Sequence, residues 1–351
     1  MRLKSLATFI FMPSLIAFLL FIFRADLTDF ITNKEEAYGQ DNIKGLSLVS
    51  PPDQFVHDPM IDVENVHAEW IAVIPYAFTR SYEPQVHYNT GNWQWWGETP
   101  EGAKETIRLA QNRGIKVLLK PQVYIPGSWT GELNFDDDQW VRWETSYRDY
   151  ILTFAKMAQE MNVEMFCVGT EFKISTRDRP KFWFELIADI KNHYNGKLTY
   201  ASNWDEYQHI SFWKELDYIG IDAYYPLVDV STPSVSEVEK AWIPVIDDLR
   251  AVYKKWDRKI LFTEFGYLSV DRCAYKNWDL EKNIKDHDVN EIAQSNALDG
   301  LFSALWKEEF WVGGFLWKWY PNMQGRVSYH DRDYTPQGKL AEQTLSEWYK
   351  Q

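Results

Sequence analysis

Two stretches, FCVGTEF (166–172) and LFTEFGY (261–267), are apolar runs that each finish on a carboxylate, Glu171 and Glu264. A strand buried on both faces is apolar throughout, so an acid at its end stands where the chain leaves the core. Two such acids facing one another have a specific use, the cleavage of a glycosidic bond held between them. One carboxylic acid protonates the leaving oxygen, and the other carboxylate attacks the anomeric carbon or activates water for that attack. Carboxyl groups about 5–5.5 Å apart would mean retention of configuration, and about 6.5–9.5 Å inversion. A lone glutamate after a strand is more often a cap or an ion-pair partner, so the chemistry rests on the pair.

The pair has to be held by a scaffold, and the rest of the chain supplies one. From residue 43 onward, short apolar runs alternate with amphipathic helical patterns, the signature of βα units around a parallel sheet. Eight runs can be counted: 44–50, 69–78, 115–123, 163–171, 198–204, 216–225, 259–267 and 313–320. Helix ends are legible between them. Thr99 followed by Pro100 opens a helix that closes at Gly114. Ser236 with Glu239 forms a capping box, followed by an apolar stripe from Val238 to Trp256. Trp140, Trp143, Tyr147, Phe154 and Met161 make a similar stripe before the fourth run, and a last helix covers 337–350. Eight strands and their crossovers predict an α/β fold, a single-domain (β/α)8 TIM barrel over residues 43–351. The rival, a doubly wound open sheet, lacks a G-x-G-x-x-G after its first strand and a P-loop. Glu171 then ends strand four and Glu264 strand seven, opposite one another at the C-terminal mouth, where barrel active sites lie.

Other strand ends offer further candidates. Asn203 and Trp204 close the fifth run, as sugar-binding amide and indole or as a structural turn. Lys120 and Gln122 lie near the end of the third run and Arg80 after the second, placed to contact sugar hydroxyls. Trp93, Trp95, Trp96 and Trp129 stand in polar, glycine-rich loops. Aromatic rings there either pack on the apolar faces of sugars along an extended cleft or cluster to hold the loops.

Composition narrows the partners. The 351 residues are 45% hydrophobic and 17% aromatic with 18 Trp, and the formal charge is −14. That charge argues against nucleic acid, whose binding needs lysine and arginine on phosphates. Seven scattered His without H-x-H or HExxH spacing give no metal signal, so neither metal nor cofactor is expected. Cys167 sits in a buried run and Cys273 in a polar loop, which argues against a disulfide between them. Residues 1–24 carry Arg2 and Lys4 ahead of an apolar run from Leu6 to Phe23. They read as a cleaved signal peptide or an uncleaved membrane anchor, with 25–42 as a polar linker and the rest exported to the periplasm or beyond. The chain is expected to act as a monomer.

The motifs VGTEF, ASNWD, DYIGIDAYYPL, LFTEFGY and GGFLWKWYP resemble those of glycoside hydrolase family 113, a clan A family whose described members are largely endo-β-1,4-mannanases. The likeness runs over roughly residues 43–345. It implies a retaining hydrolase of β-1,4-mannosidic bonds, with Glu171 as acid/base and Glu264 as nucleophile. It also implies Tyr224 as a hydrogen-bond donor to the nucleophile and Trp317 as the floor of the sugar site. Glu171 is then expected to stay protonated near neutral pH through burial and the charge on Glu264. One departure stands out. The clan usually has asparagine before the acid/base, in contact with the sugar 2-hydroxyl, and this sequence has Thr170. Hydrolysis of another β-linked glycan, or a noncatalytic carbohydrate-binding barrel, are the alternatives.

Overall fold

The computed structural model describes residues 42–89 and 94–351, and the described residues belong to one compact unit, Asn42–Gln351. The N-terminal segment read as a signal or anchor, and Trp93, lie outside the described residues. Eight strands form a closed parallel barrel: β1 (Ile43–Leu48), β2 (Trp70–Val73), β3 (Lys116–Leu119), β4 (Met165–Thr170), β5 (Lys197–Asn203), β6 (Ile219–Asp222), β7 (Ile260–Phe265) and β8 (Trp311–Trp319). Each strand pairs with its sequence neighbours, and β8 closes on β1 with Leu46 opposite Leu316. This is the (β/α)8 TIM barrel that the eight runs predict.

The strand period of two sorts side chains into two cores. Met165 and Cys167 of β4 point into the barrel with Ala72, Leu118, Ala201, Leu261 and Phe315. Phe166 and Val168 point outward and pack under the helices. The same alternation carries Lys120, two residues after Leu118, into the barrel mouth.

The second and third runs are each broken, at Pro75 and Pro121. Proline has no N–H to give to a ladder. Beyond the breaks, Tyr76–Arg80 pairs in parallel with Gln122–Tyr124 and antiparallel with Glu83–His87, making a small sheet above the barrel. Arg80 therefore ends a hairpin strand, where its side chain is 62% exposed and pairs with Glu83 at 3.5 Å.

The helices follow their local signals. α1 (Pro100–Asn112) is capped by the Thr99 hydroxyl, which accepts from the Gly102 N–H at 3.2 Å. α2 (Asp137–Glu160) buries Trp140, Trp143, Tyr147 and Phe154. Trp143 and Tyr147 stack at 4.7 Å, and the Tyr147 hydroxyl donates to the Val168 carbonyl on β4 at 3.0 Å. α3 (Val235–Trp256) starts earlier than the Ser236–Glu239 box implies, because Ser234 and Glu237 form the box that is used. α4 (Glu291–Leu305) and α5 (Leu340–Tyr349) flank β8 in the chain, and the Tyr349 hydroxyl donates to the Gly45 carbonyl of β1 at 2.9 Å. Cys167 and Cys273 are both buried and unbonded to each other. No helix among the described residues is long and apolar enough to cross a membrane.

Candidate active site

The C-terminal mouth of the barrel opens into a cleft of about 790 Å³, lined by Glu171, Glu264, Gln122, Asn203, Trp204, Tyr224 and Trp317 among others. Strands four and seven thus deliver both glutamates to one cavity.

Glu264 is 7% exposed and accepts from three donors. The Lys120 ammonium lies 2.5 Å from Oε1, and the Gln122 side-chain amide reaches the same oxygen at 3.1 Å. The Tyr224 hydroxyl donates to Oε2 at 2.8 Å. Burial, reinforced by the Glu264 charge, holds the Tyr224 phenol well above its usual range, so it remains a donor.

Glu171 is set differently. It directly follows β4, in the left-handed region at φ 56°, a conformation that costs a non-glycine residue roughly 1–3 kcal/mol. The turn is pinned on both sides: the Glu171 N–H donates to Ala201 of β5 at 2.8 Å, and the Phe172 N–H to the Tyr200 hydroxyl at 2.8 Å. Its carboxylate faces one donor, the Trp129 indole N–H, at 2.5 Å. Burial pushes the Glu171 carboxyl up to about 8, helped by the charges on Asp222 and Glu264; Trp129 and Lys120 offset only part of the rise.

A third acid, Asp222 at the end of β6, is 1% exposed. Its Oδ1 accepts from Thr263 at 2.7 Å and from the Lys120 ammonium at 3.3 Å. Burial pushes Asp222 up to about 7, with the Glu264 charge adding to it and Lys120 and Thr263 drawing it back. Lys120 is wholly buried. Burial alone would strip its proton, but Asp222 and Glu264 outweigh that and hold it above the ordinary lysine value.

A family model, Glycoside Hydrolase Family 113, matches residues 54–339. The chain belongs to that family. Among solved structures, a β-1,4-mannanase of family 113 in a complex is 25% identical, covering 88% of this chain and 99% of its own, with a TM-score of 0.75. A further β-1,4-mannanase structure of the family is 26% identical over 88% of this chain and 99% of its own, at a TM-score of 0.74. A β-mannanase from Alicyclobacillus acidocaldarius, bound to ManMIm, shares the fold at a TM-score of 0.74 with 24% identity, covering 90% and 99% of the two chains. No curated protein matches the sequence. This family 113 protein is a glycoside hydrolase.

Lys120, expected on sugar hydroxyls, is too buried to reach one and spends its charge on two carboxylates. Gln122 lines the cleft but gives its amide to Glu264. Arg80 does not line the cleft, because Pro75 diverts its strand into the hairpin. Asn203 makes the structural turn, its Oδ1 accepting from the Trp204 N–H at 2.9 Å, and it also lines the cleft. Trp204 lines the cleft and stacks on Trp278, with centroids 5.8 Å apart and planes 16° apart. Of the loop tryptophans, Trp129 touches Glu171, while Trp96 binds Glu105 at 2.9 Å and so braces α1. Trp95 lines a smaller neighbouring cavity with Tyr76, Tyr124 and Trp317. Asp222 was missed, although it carries the same signal as the two glutamates, an acid at the end of a buried strand. Its run continues into Ala223-Tyr224-Tyr225, which hid the strand end. Among the described residues no group of three or more His, Cys, Asp and Glu side chains is arranged to hold a metal.

Proposed function

We propose that this enzyme hydrolyses β-1,4-mannosidic bonds in mannan or manno-oligosaccharides by a two-glutamate double displacement with retention of configuration. The observation that carries the mechanism is the contrast between two acids in one cleft. Glu171 has a raised carboxyl and a single donor, which suits an acid that must hold its proton. Glu264 accepts from an ammonium, an amide and a phenol, which suits a carboxylate that must attack. In the first step a Glu264 oxygen bonds to the anomeric carbon, the glycosidic C–O bond breaks, and the leaving oxygen takes the Glu171 proton. In the second, water attacks the same carbon and gives a proton to Glu171, and the ester bond's electron pair returns to Glu264. Oε1 already accepts two hydrogen bonds and Oε2 one, which leaves Oε2 a lone pair for the attack.

Mannan is favoured as substrate by the family 113 mannanases that this chain resembles. One feature favours a second reading, another β-linked glycan. The Thr170 hydroxyl lines the cleft and is buried without a hydrogen-bond partner, at the position where the clan reads the 2-hydroxyl. That hydroxyl is axial in mannose and equatorial in glucose. Hydrolysis of a panel of β-linked oligosaccharides, with Glu171→Gln and Glu264→Gln alongside, decides between them. Cleavage of manno-oligosaccharides, lost in both variants and yielding β-anomer first by proton NMR, is the expected result. Cleavage of glucan or xylan alone would discard mannan, and an α-anomer first would discard the double displacement. The charged and apolar N-terminal pattern supports a catalytic unit outside the cytoplasm, which protease accessibility on intact cells tests.

A further inference from the structure

We infer that Lys120 and Asp222 are paired positioning residues that balance the two halves of the reaction: Lys120 stabilises Glu264 as it departs from the sugar, and Asp222 keeps the Lys120 ammonium paired while Glu264 is esterified. The inference deepens the double-displacement reading and rests on it.

The geometry is a buried line of three charges. Lys120 lies 2.5 Å from Glu264 and 3.3 Å from Asp222, with side-chain exposures of 0% for the lysine and 1% for the aspartate. In the resting enzyme the ammonium faces two carboxylates. When Glu264 attacks, its negative charge is consumed in a neutral ester, and the closest counter-charge to Lys120 disappears. A buried cation stripped of its partner is strongly disfavoured. Asp222 meets that need, because it takes no part in bond making. It is also fixed where it stands, since Thr263 donates to the same oxygen that Lys120 approaches.

The ammonium acts with opposite sign on the two steps. It stabilises the free carboxylate of Glu264 more than the ester, so it restrains the attack. By the same preference it favours departure: as the ester C–O bond breaks, charge returns to the carboxyl group and develops on Oε1, where Lys120 and Gln122 already point. This is preorganised stabilisation of a leaving group. Lys120 therefore keeps the covalent intermediate from accumulating. Asp222 counters the restraint on the first step, because it shares the ammonium and leaves it paired after the attack.

Removing the two residues should consequently shift the reaction in opposite directions. Lys120→Met, assayed on a dinitrophenyl β-mannobioside, is expected to give a burst of dinitrophenol approaching one equivalent, with kcat down about tenfold or more and kcat/KM down less than about threefold. Asp222→Asn, isosteric and still able to accept from Thr263, is expected to show no burst, with kcat/KM down about tenfold or more because attack would strand the ammonium. A purely structural role for either residue would lower kcat and kcat/KM together in both variants, and that outcome overturns the inference. Lys120→Met decides alone if Asp222→Asn does not fold, and Lys120→Gln on the same substrate takes its place if Lys120→Met does not fold. Trapping of the wild type with an activated fluorosugar mannobioside separates the two levels of argument. If no ester forms on Glu264, the double displacement itself fails; if the ester forms but the two variants partition alike, only the roles of Lys120 and Asp222 fail.

Discussion

At the scale of single residues, the site works by giving chemically identical groups different surroundings. Glu171, Asp222 and Glu264 line one cleft, and their neighbours decide what each can do. Glu171 has a raised carboxyl, up to about 8, with burial as the leading cause. An acid catalyst must be protonated, so activity should be full below that value and fall as pH rises through it. The expected result is a basic limb in kcat/KM with a midpoint of about 8. In Glu171→Gln, assayed on an aryl glycoside whose leaving group needs no proton, that limb should vanish. A limb that persists unchanged in the variant would assign it to another group. The sequence made the two glutamates legible because each closes an apolar run with a Thr-Glu pair, Thr170-Glu171 and Thr263-Glu264. The partners of Glu264 were harder to see. Lys120 and Gln122 looked like sugar contacts because a lysine and a glutamine near a strand end carry no sign of what they face. Only closure of the barrel brings residue 120 against residues 222 and 264.

At the scale of elements, the strands were legible and their interruptions were not. All eight apolar runs became barrel strands, since a stave buried on both faces must be apolar whatever follows it. Pro75 and Pro121 were in plain view, but a proline inside an apolar run reads either as an edge position or as a break. The structure takes the break, and Arg80 is lost from the site as a result. Close approach between strands was also illegible, because a glycine in a strand does not say what it abuts. Gly266, just past Glu264, is the instructive case. A Cβ added there would stand 2.3 Å from the Trp317 carbonyl of β8, so β7 and β8 can lie this close only around glycine. Gly266→Ala should therefore push Trp317 off the cleft wall, costing about 1–3 kcal/mol in stability and lowering kcat/KM as well. Gly114→Ala is the matched control. It has open space around the added methyl but a left-handed φ of 71°, so it should cost about 1 kcal/mol and leave activity unchanged. Urea unfolding with parallel kinetics distinguishes them; equal effects on activity would mean that the β7–β8 approach is unrelated to the cleft.

At the scale of the whole molecule, the charge distribution sets which polymers can reach the mouth of the barrel. The chain carries a formal charge of −14, and the buried ammonium behind Glu264, Lys120, is already committed to two carboxylates. A neutral glycan feels no long-range field from such a protein; under the proposed function it would bind through hydroxyls and aromatic faces, for which the Trp204–Trp278 stack, with Trp278 36% exposed, is the candidate. A polyuronate, by contrast, is repelled on approach, and the repulsion is screened over about 10 Å at 0.1 M salt. The reaction centre itself should be indifferent to salt, because the Lys120 pairs are buried. Hydrolysis of manno-oligosaccharides should thus change less than about twofold between 0.01 and 0.5 M sodium chloride, as neither steering nor site chemistry depends on screening. Any residual cleavage of a carboxylated glycan should instead rise with salt over the same range. A strong fall in manno-oligosaccharide hydrolysis with salt would show that a surface cation contacts the substrate and that the cleft is read as too neutral. A flat response, together with a several-fold rise in KM for long manno-oligosaccharides in Trp278→Ala, would place recognition on ring faces and hydroxyls, as a neutral substrate requires.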